Sequence, residues 1–570
     1  MQQETAVNRA KTPTSWNDIN WCRNRKLVRN LRQRIYRTSR QGDHRKLRSL
    51  QRLMLKSRAN RELSVRQVTQ INKGRLTAGV DKLVVKTPQG RTRLVEEVSQ
   101  YQPWKAKPAR RVYIPKANGK QRPLGIPTVL DRCMQAVVKN ALEPEWEAQF
   151  ESCSYGFRPG RSCHDAIERI YALSIPRTRK KWVVDADIKG AFDNIRHTTL
   201  LEALAGFPAR HLVRQWLKAG VVDRGVFAET TAGTPQGGVV SPLLANIALH
   251  GMESALGVVY RRNGGAFSIR SKRALVRYAD DFVIFAETRE DAEAAKTDIA
   301  RWLAKRGLEL SLEKTTVHHL TEGFDFLGFN VRQYPVANTR TGYKLLIKPS
   351  EDAVKDFKHR IKREWTALNG HNVEAVTRRL RPILTGWGNY YRTVVSQRTF
   401  SKIDRWMYEK ASHWCRRNHP NKSWKWITRN YFGTFRVGRL DKWIFGSPKS
   451  GHYLPKLSWL PIRRHVMIRY DVSPDDPNLR SYWEQREARK AELLPTRRQR
   501  ELAKRQRGQC PICRESLHND EELHVHHVIP KSRGGEDAIS NLALIHLYCH
   551  QQTHKGRKVT VQPVCLSRMR

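Results

Sequence analysis

The stretch Tyr278-Ala279-Asp280-Asp281 joins two apolar runs, residues 274–276 before it and residues 282–285 after it. β-branched and aromatic residues on both sides of so short a polar break predict a tight hairpin with the two aspartates at its tip. Two carboxylates ~4 Å apart repel each other by about 4 kcal/mol at an effective dielectric constant near 20. A fold tolerates such a pair where cations bind. The stretch therefore predicts a divalent-metal site of the kind that transfers nucleotidyl groups.

A second acidic segment offers the third carboxylate that such a site needs. Residues 182–188 form a short apolar run that contains Asp185 and Asp187, and residues 189–193 (KGAFD) follow it. The run predicts a strand that leads into a turn or a helix. Asp185 and Asp187 are two residues apart, so they share one face of that strand. A lone aspartate at a strand end is otherwise a turn former or a helix cap, but together with the hairpin we interpret Asp187 as a metal ligand.

The order of motifs along the chain resembles that of a reverse transcriptase, specifically the enzyme encoded within group II introns. The similarity covers roughly residues 60 to 560, and six blocks occur in the order of that family. The blocks are residues 112–127, which contain VYIPK and QRPLGIP, residues 155–162 (YGFRPGRS), residues 187–193, residues 234–246, residues 310–315 (LSLEKT) and residues 324–329 (FDFLGF).

The resemblance implies a set of nucleotide contacts. Lys116 and Arg122 flank a predicted hairpin turn and match residues that contact the incoming triphosphate. Phe192 would stack under the sugar and discriminate against or admit the 2′-hydroxyl group, although a buried core phenylalanine is the alternative. Gln236 lies in a turn sequence whose two glycines allow close approach of the backbone to a nucleotide or template. Lys314 would lie near the active site, which would hold two Mg²⁺ ions.

Composition points to nucleic acid as the partner. The 570 residues include 106 Lys and Arg against 53 Asp and Glu, which gives a formal net charge of +53. A charge that large opposes compaction unless a polyanion is near. The sequence has no run of ~20 apolar residues, so we expect no membrane span. Its N-terminus lacks a signal-peptide core, and scattered cysteines suggest thiols, so we expect an intracellular protein, with bacterial cytoplasm or nucleoid favoured over an organelle.

Two basic regions flank the motifs. In residues 23–61 the apolar Leu27, Leu31 and Ile35 recur at helical spacing, which predicts basic amphipathic helices that face RNA or, as the alternative, solvent. Residues 350–470 interleave tryptophans and tyrosines with arginines. Such a pattern suits stacking on unpaired bases and contact with phosphates, although most of these rings are expected to serve as core. This region resembles the thumb, or maturase "X", domain, which grips intron RNA.

A separate site is predicted near the C-terminus. Cys510 and Cys513 form half of a zinc knuckle, and His546 and Cys549 form a second half with the same two-residue gap. Together they make a tetrahedral Cys₃His set for structural Zn²⁺, with spare buried thiols as the alternative. So small a domain has little core, so the metal would contribute folding free energy on the order of 10 kcal/mol.

The residues between the two knuckle halves resemble an HNH (ββα-metal) nuclease motif. By this resemblance His527 is the general base that activates water, in the neutral form that acid–base catalysis requires. His526, His550 and His554 would surround one catalytic divalent ion, and Asn541 would tie the loop that orients the base. His550 and His554 are one helical turn apart and so share a face.

We therefore expect an α+β multidomain fold with a right-hand polymerase palm and fingers, a helical thumb (maturase X) domain and a small zinc-containing ββα-metal HNH domain. The expected function is RNA-directed DNA polymerisation, assistance to splicing of a group II intron RNA and nicking of target DNA, with dNTPs as substrates. The expected domains are 1–60 (basic extension), 61–340 (fingers and palm), 341–470 (thumb), 471–507 (basic linker or DNA-binding segment) and 508–570 (HNH).

Three alternatives remain open on the sequence. The first is a splicing chaperone with a relic active site, which intact aspartates disfavour. The second is the reverse transcriptase of a retron, diversity-generating or defence system, which the X-like segment and the HNH tail disfavour. The third is an HNH nuclease with an RNA-binding body.

Overall fold

The computed structural model of the protein describes residues 15–99, 105–115, 119, 121–263, 266–436, 438–494, 496–519 and 521–553. The chain begins with a group of helices whose N-termini are capped by polar side chains. Asn20 and Asp43 each accept a hydrogen bond of 3.0 Å from the backbone three residues on, which satisfies an orphan N–H group. These helices are α1 (Trp21–Arg40), α2 (His44–Lys56), α3 (Arg58–Arg66) and α4 (Pro88–Ser99).

The face that α1 buries differs in part from the predicted one. Ile35 is buried as expected, but Leu27 is 46% exposed. The buried row runs through Trp21, Val28 and Ile35, which are seven residues apart and therefore lie two turns apart on one face. Leu27 and its basic neighbours are left on the outer side of the helix.

The central region alternates strands and helices, and it holds most of the predicted motifs. Its elements are β1 (Ala109–Pro115), β2 (Gln121–Ile126), α5 (Val129–Glu147), α6 (Cys163–Ser174), β3 (Trp182–Asp187), α7 (Ala191–Asn194), α8 (His197–Ala203), α9 (Arg210–Lys218), β4 (Val221–Asp223), β5 (Val226–Ala228), α10 (Ser241–Ala248), α11 (Met252–Ala255), β6 (Tyr260–Asn263), β7 (Ala266–Ile269), β8 (Ala274–Tyr278), β9 (Asp281–Ala286), α12 (Arg289–Ala304) and β10 (Thr316–His319).

Two four-stranded sheets organise this region. The first has the strand order β2-β1-β4-β5, and the second has the order β10-β3-β9-β8. In the second sheet β3 and β9 are the inner strands and are antiparallel to each other and to their outer neighbours. Helix α12 packs on β3 and β9, and α6 packs on β8. Because helices pack on its strands, the sheet rigidly supports the residues at the ends of β3 and β9.

The next region is mainly helical and rich in aromatic side chains. Phe357 stacks on Trp387 with ring centroids 4.6 Å apart, and Trp365 and Trp414 are also buried, so many of these rings form core. Trp443, in contrast, is 52% exposed. The elements are β11 (Phe324–Phe326), β12 (Phe329–Pro335), β13 (Tyr343–Pro349), α13 (Glu351–Thr366), α14 (Val373–Tyr391), α15 (Gln397–Asn418), α16 (Trp424–Tyr431), β14 (Phe432–Gly433) and β15 (Ile444–Phe445).

The C-terminal region packs against the N-terminal helix α1 and against α6. Asp475 is buried and forms an ion pair of 2.7 Å with Arg32 of α1. Arg486 forms an ion pair of 3.2 Å with the buried Asp165 of α6. The segment between residues 471 and 490 is therefore packed against the body of the protein. The elements are α17 (Arg480–Lys490), α18 (Arg497–Arg505), β16 (Leu523–His527), β17 (Leu542–His546) and α19 (Leu547–Thr553).

Helices and strands are thus mixed along the chain, which confirms the α+β character of the prediction. Within the described ranges, no helix has the length and apolar character that crossing a membrane requires.

Candidate active sites

The predicted hairpin forms between β8 and β9, and its tip carries the two aspartates. Ala279 takes a φ of +60°, a left-handed conformation that closes the turn tightly. The neighbouring strand β3 pairs with β9 so that Asp187 is the cross-strand partner of Asp281. The structure therefore brings Asp187, Asp280 and Asp281 together at one end of the second sheet, where β3 ends and β9 begins.

Burial and mutual repulsion disfavour the charged forms of the carboxylates at the tip of this hairpin. The pKa of Asp281 is raised to about 7, first by burial and then by the negative charges of Asp280 and Asp187. Burial also raises the pKa of Asp280. Lys314 faces the group, since its Nζ lies 2.5 Å from a carboxylate oxygen of Asp187. Three clustered carboxylates repel one another and gain from bound cations, so the donor set fits divalent metal ions.

A buried arginine supports the turn from behind, and the sequence reasoning missed it. Arg277 is 0% exposed and donates hydrogen bonds of 3.1 Å to the Ala279 carbonyl and 3.0 Å to the Asn246 side chain. Asn246 in turn donates to the Gly156 carbonyl at 2.9 Å. A Cβ atom at Gly156 would lie 2.3 Å from the backbone nitrogen of Ala279, so only glycine fits there. Three distant segments thus fix the backbone of the turn.

The predicted nucleotide-contacting residues are distributed around this turn. Arg122 donates through Nε to the side chain of Gln236 at 2.9 Å, which joins the β2 strand to the glycine turn. Phe192 is buried and meets the ring of Phe157 edge-on, with centroids 5.9 Å apart. Lys314 lies at the carboxylates, as already described. Lys116 falls outside the described residues.

The four predicted zinc ligands come together in the C-terminal region. Their ligand atoms all lie within 4.8 Å of one another, and all four residues are buried. A tetrahedral site with bonds of ~2.3 Å places its ligand atoms roughly 3.8 Å apart. His546 directs Nδ1 at the sulfurs of Cys513 and Cys549, 3.3 and 3.9 Å away, while Nε2 lies 3.1 Å from the Ser516 carbonyl. A backbone acceptor of this kind fixes the tautomer that ligates a metal, so the set of Cys510, Cys513, His546 and Cys549 fits zinc.

The predicted nuclease residues in the described part of the chain lie on β16, on the loop between β16 and β17, and on α19. The imidazole rings of His526 and His550 have centroids 5.1 Å apart, a spacing compatible with a shared ion. Asn541 accepts a hydrogen bond of 2.8 Å from the Ile529 backbone and donates to the Ile529 carbonyl at 3.0 Å, so it ties the loop after β16. His554 lies outside the part of the chain that the structure describes.

The nuclease region also contains a residue that sequence reasoning did not single out. Asp537 accepts a hydrogen bond of 2.7 Å from Nε2 of His527 and a second of 2.7 Å from Lys531. These contacts, the one with Lys531 first, lower the pKa of Asp537 to about 2. A carboxylate that holds Nε2–H leaves Nδ1 as the basic nitrogen of the ring. The spacing of ten residues between His527 and Asp537 offers no recognisable sequence signal.

Four family models match successive parts of the chain. They are "N-terminal domain of reverse transcriptase" at residues 16–98, "Reverse transcriptase (RNA-dependent DNA polymerase)" at residues 114–331, "Group II intron, maturase-specific domain" at residues 354–432 and "HNH endonuclease" at residues 510–556.

Two curated relatives are each similar to nearly half of the chain. Protein YkfC of Escherichia coli (strain K12) is 36% identical over 298 residues, which span 46% of this chain and 77% of YkfC. Group II intron-encoded protein LtrA of Lactococcus lactis subsp. cremoris is 31% identical over 318 residues, which span 44% of this chain and 53% of LtrA. The chain belongs to the group II intron-encoded proteins.

This group II intron-encoded protein is an enzyme with an RNA-directed DNA polymerase domain, a maturase domain and an HNH-type DNA endonuclease domain. Reverse transcriptase and HNH domains generally use divalent metal ions, and the Cys₃His cluster is compatible with zinc. The match to LtrA spans about half of that protein's own length. A telomerase chain from Candida albicans, solved in complex with a fragment of telomeric RNA, aligns over 57% of this chain and 61% of its own length with 15% identity and a TM-score of 0.33.

Proposed function

We propose that Asp187, Asp280 and Asp281 form the polymerisation site, where RNA is copied into DNA. The observation that carries the proposal is the pairing of Asp187 with Asp281 across two inner strands, with Asp280 in the adjoining turn. Two Mg²⁺ ions held there would activate the primer 3′-hydroxyl group and neutralise the leaving pyrophosphate. The rigid sheet keeps the three carboxylates converged, so the protein does not have to reorganise when a nucleotide arrives.

Five side chains are proposed to hold the incoming nucleotide against these carboxylates. Lys116 and Arg122 would bind its triphosphate, with Gln236 holding the Arg122 guanidinium in place. Phe192 would lie under the sugar, where its packing on Phe157 keeps the ring in one position. Lys314 pairs with Asp187 in the resting protein and would turn to a phosphate when metal ions take over that carboxylate.

We propose a right-hand arrangement for the polymerase. Residues 61–340 would supply the fingers and palm, and the helices between residues 341 and 470 would supply the thumb that grips intron RNA. The exposed Trp443 and the exposed arginines of this region suit stacking on unpaired bases and phosphate contact. Residues 1–60 would extend the RNA-binding surface, and residues 471–507 would link this body to the nuclease of residues 508–570.

The HNH domain is proposed to nick DNA with His527 as general base. Asp537 orients its imidazole through Nε2, which directs the basic Nδ1 toward a water molecule. His526, His550 and His554 would hold one divalent ion, which stabilises the charge that develops on the scissile phosphate. Asn541 keeps the loop after β16 in register with the base. A structural Zn²⁺ on the Cys₃His cluster would hold the domain together.

These activities combine into a route for mobility of the intron. The protein would bind its intron RNA as a ribonucleoprotein and assist the RNA to fold and splice. The RNA would enter one strand of a target DNA, the HNH domain would nick the other, and the polymerase would extend the new 3′ end with dNTPs. Intron RNA and genomic DNA as partners also favour an intracellular location. The net charge of +53 suits both polyanions.

Paired substitutions test the two-site assignment. Asp280→Ala is expected to lower primer extension on an RNA template by roughly three orders of magnitude, equivalent to ~4 kcal/mol of lost transition-state stabilisation, and to leave DNA nicking intact. His527→Ala is expected to do the reverse. Asp352→Ala removes an exposed carboxylate, with a side chain 83% exposed, and serves as the matched control. Equal extension by Asp280→Ala and wild type would contradict the polymerase site, and loss of both activities in either variant would contradict two separate sites.

A further inference from the structure

A cavity of about 630 Å³ lies between the N-terminal helices and the nuclease helix α19. Pockets of ~300–1,000 Å³ take small ligands or parts of polymers. One wall comes from the first helices of the chain and includes Trp16, Trp21 and Arg91, and the other comes from α19 and includes Tyr548 and His550. Since His550 is a proposed ligand of the nuclease ion, the cavity adjoins the proposed cleavage site.

Buried polar contacts fix the two walls relative to each other. Arg66 of α3 forms an ion pair of 3.2 Å with Glu521, and both side chains are at most 2% exposed. Arg25 of α1 donates to the carbonyl of the zinc ligand Cys513 at 3.0 Å. Gln552 of α19 donates to the Asn17 carbonyl at 3.3 Å. These contacts hold the two walls in fixed positions, so the cavity is a stable part of the junction between the two domains.

The cavity wall is positively charged, and the buried Arg66 lies behind its surface. Nε and Nη1 of Arg66 are buried without a hydrogen-bond partner in the described part of the chain, because Glu521 takes only Nη2. Lys86 and the largely buried Arg91 add two further cations. Glu521 balances one of these three charges, and the described lining residues include no carboxylate. The net positive charge of the wall suits an anionic ligand.

Aromatic rings accompany these cations. The Arg66 guanidinium lies over the ring of Trp21 at 4.7 Å, and Trp16 packs edge-on against Trp21 at 4.9 Å. Tyr548 and Arg91 both line the cavity. Trp16 and Trp21 are buried, whereas Tyr548 is partly exposed. Cations beside an accessible aromatic ring are features by which proteins bind a single nucleic acid strand.

We propose that this cavity binds the sugar-phosphate backbone of the DNA strand that the nuclease cuts, next to the scissile phosphate. The proposal rests on the proposed nuclease function and adds that the N-terminal reverse transcriptase domain supplies half of the nuclease's DNA-binding site. His550 in the wall favours the cleaved DNA strand over intron RNA as the occupant. Lys86 and Arg91 contact its phosphates, and the partly exposed ring of Tyr548 contacts an adjacent sugar or base.

The test compares DNA binding by full-length protein carrying His527→Ala, in buffer without added divalent ions, so that cleavage plays no part. Lys86→Met and Arg91→Met together are expected to weaken binding of the target DNA and to reduce the slope of log K against log salt by roughly 1.4 to 1.8, about 0.7 to 0.9 for each lost phosphate contact. Arg93→Met is the matched control, because it lies on the same helix with a side chain 84% exposed and away from the cavity. Unchanged melting temperature and zinc content in each variant confirm folding.

A photo-crosslinking residue in place of Gln551 identifies the occupant. The expected product joins the protein to the nicked strand, close to the nick. Crosslinking to intron RNA instead, or a salt slope equal in the double variant and in Arg93→Met, overturns the proposal. Nicking that survives His527→Ala contradicts the proposed nuclease mechanism, so failure of that mechanism and failure of the cavity assignment give different results.

Discussion

Arg277 offers the sharpest test of how the fold positions the polymerase carboxylates. Replacement by Met keeps most of the length of the side chain but removes the donors to Ala279 and Asn246. Both acceptors are buried behind the turn, and a buried acceptor without a partner costs about 1–3 kcal/mol, so the two together cost about 2–6 kcal/mol. The charge of Arg277 also opposes the rise in the pKa of Glu151, which burial brings to about 7. Without Arg277 the Glu151 carboxyl takes up a proton at neutral pH, so it does not remain as an unpaired buried charge. We therefore expect the loss in free energy of unfolding to lie in the lower half of the range of about 2–6 kcal/mol.

Arg277→Met should lower the rate of primer extension by more than its loss of folding stability explains. The hydrogen bond to the Ala279 carbonyl holds a turn in the left-handed region, and without it the turn can relax and shift Asp280 and Asp281. A displacement of ~1 Å at reacting groups costs on the order of 100-fold in rate. We therefore expect Arg277→Met to lower kcat for primer extension about 100-fold and to raise the Mg²⁺ concentration at half-maximal rate, at a temperature where circular dichroism shows the folded protein.

Arg273→Met is the control for this prediction. Arg273 immediately precedes β8 and pairs with Asp291 and Asp298 at 2.8 Å each, near the surface and away from the turn. Pairs of this kind contribute about 0–1 kcal/mol, so the control should change the melting temperature little and kcat not at all. A folded Arg277→Met protein with wild-type kcat and Mg²⁺ dependence would refute the reasoning, since the turn would then hold its geometry without the arginine.

Three further predictions concern the metal sites. Because the pKa of Asp281 is raised from 3.8 to about 7, its contribution to stability is lost as pH rises through that window, so Mg²⁺ should raise the melting temperature more at pH 8 than at pH 5. Asp281→Asn should remove most of that difference. Cys513→Ser should lower the zinc content below one ion per chain and make the segment from 508 to 553 sensitive to protease, whereas Cys415→Ser, a buried cysteine elsewhere, should not. Asp537→Asn should lower kcat for nicking by 10–100-fold with little change in KM; equal rates would show that His527 does not need this partner.

Some features of the sites could be predicted from the sequence because short-range rules govern them. The hairpin at Asp280 and Asp281 follows from two β-prone runs separated by a short polar break, and the alternation of a strand makes the neighbouring Asp187 a candidate partner. The zinc cluster follows from two pairs with the same two-residue gap. In each case the spacing along the chain nearly fixes the spacing in space.

Other features depend on contacts that sequence spacing does not encode. Arg277 stands alone in an apolar strand, and only its burial and its bonds to Ala279 and Asn246 reveal what it does. The buried face of α1 was predicted from Leu27, but Trp21 and Val28 occupy it instead, because packing against α2, α3 and α5 selects the side of the helix. Periodicity establishes that a helix is amphipathic, whereas its partners determine which of two adjacent rows is buried.

The docking of the nuclease on the N-terminal helices is another feature that the spacing of residues in the sequence does not encode. Arg66 and Glu521 are 455 positions apart, and neither belongs to a recognisable motif. A buried ion pair adds little net stability, but loss of one partner costs about 3–5 kcal/mol because the other charge stays buried. The apolar residues Val65 and Val68 lie in the same core cluster as Cys513 and Leu517, so undocking would also expose apolar surface on both sides. Loss of zinc should therefore destabilise the N-terminal helices as well as the nuclease, because the ligand Cys513 is itself part of the surface that joins them.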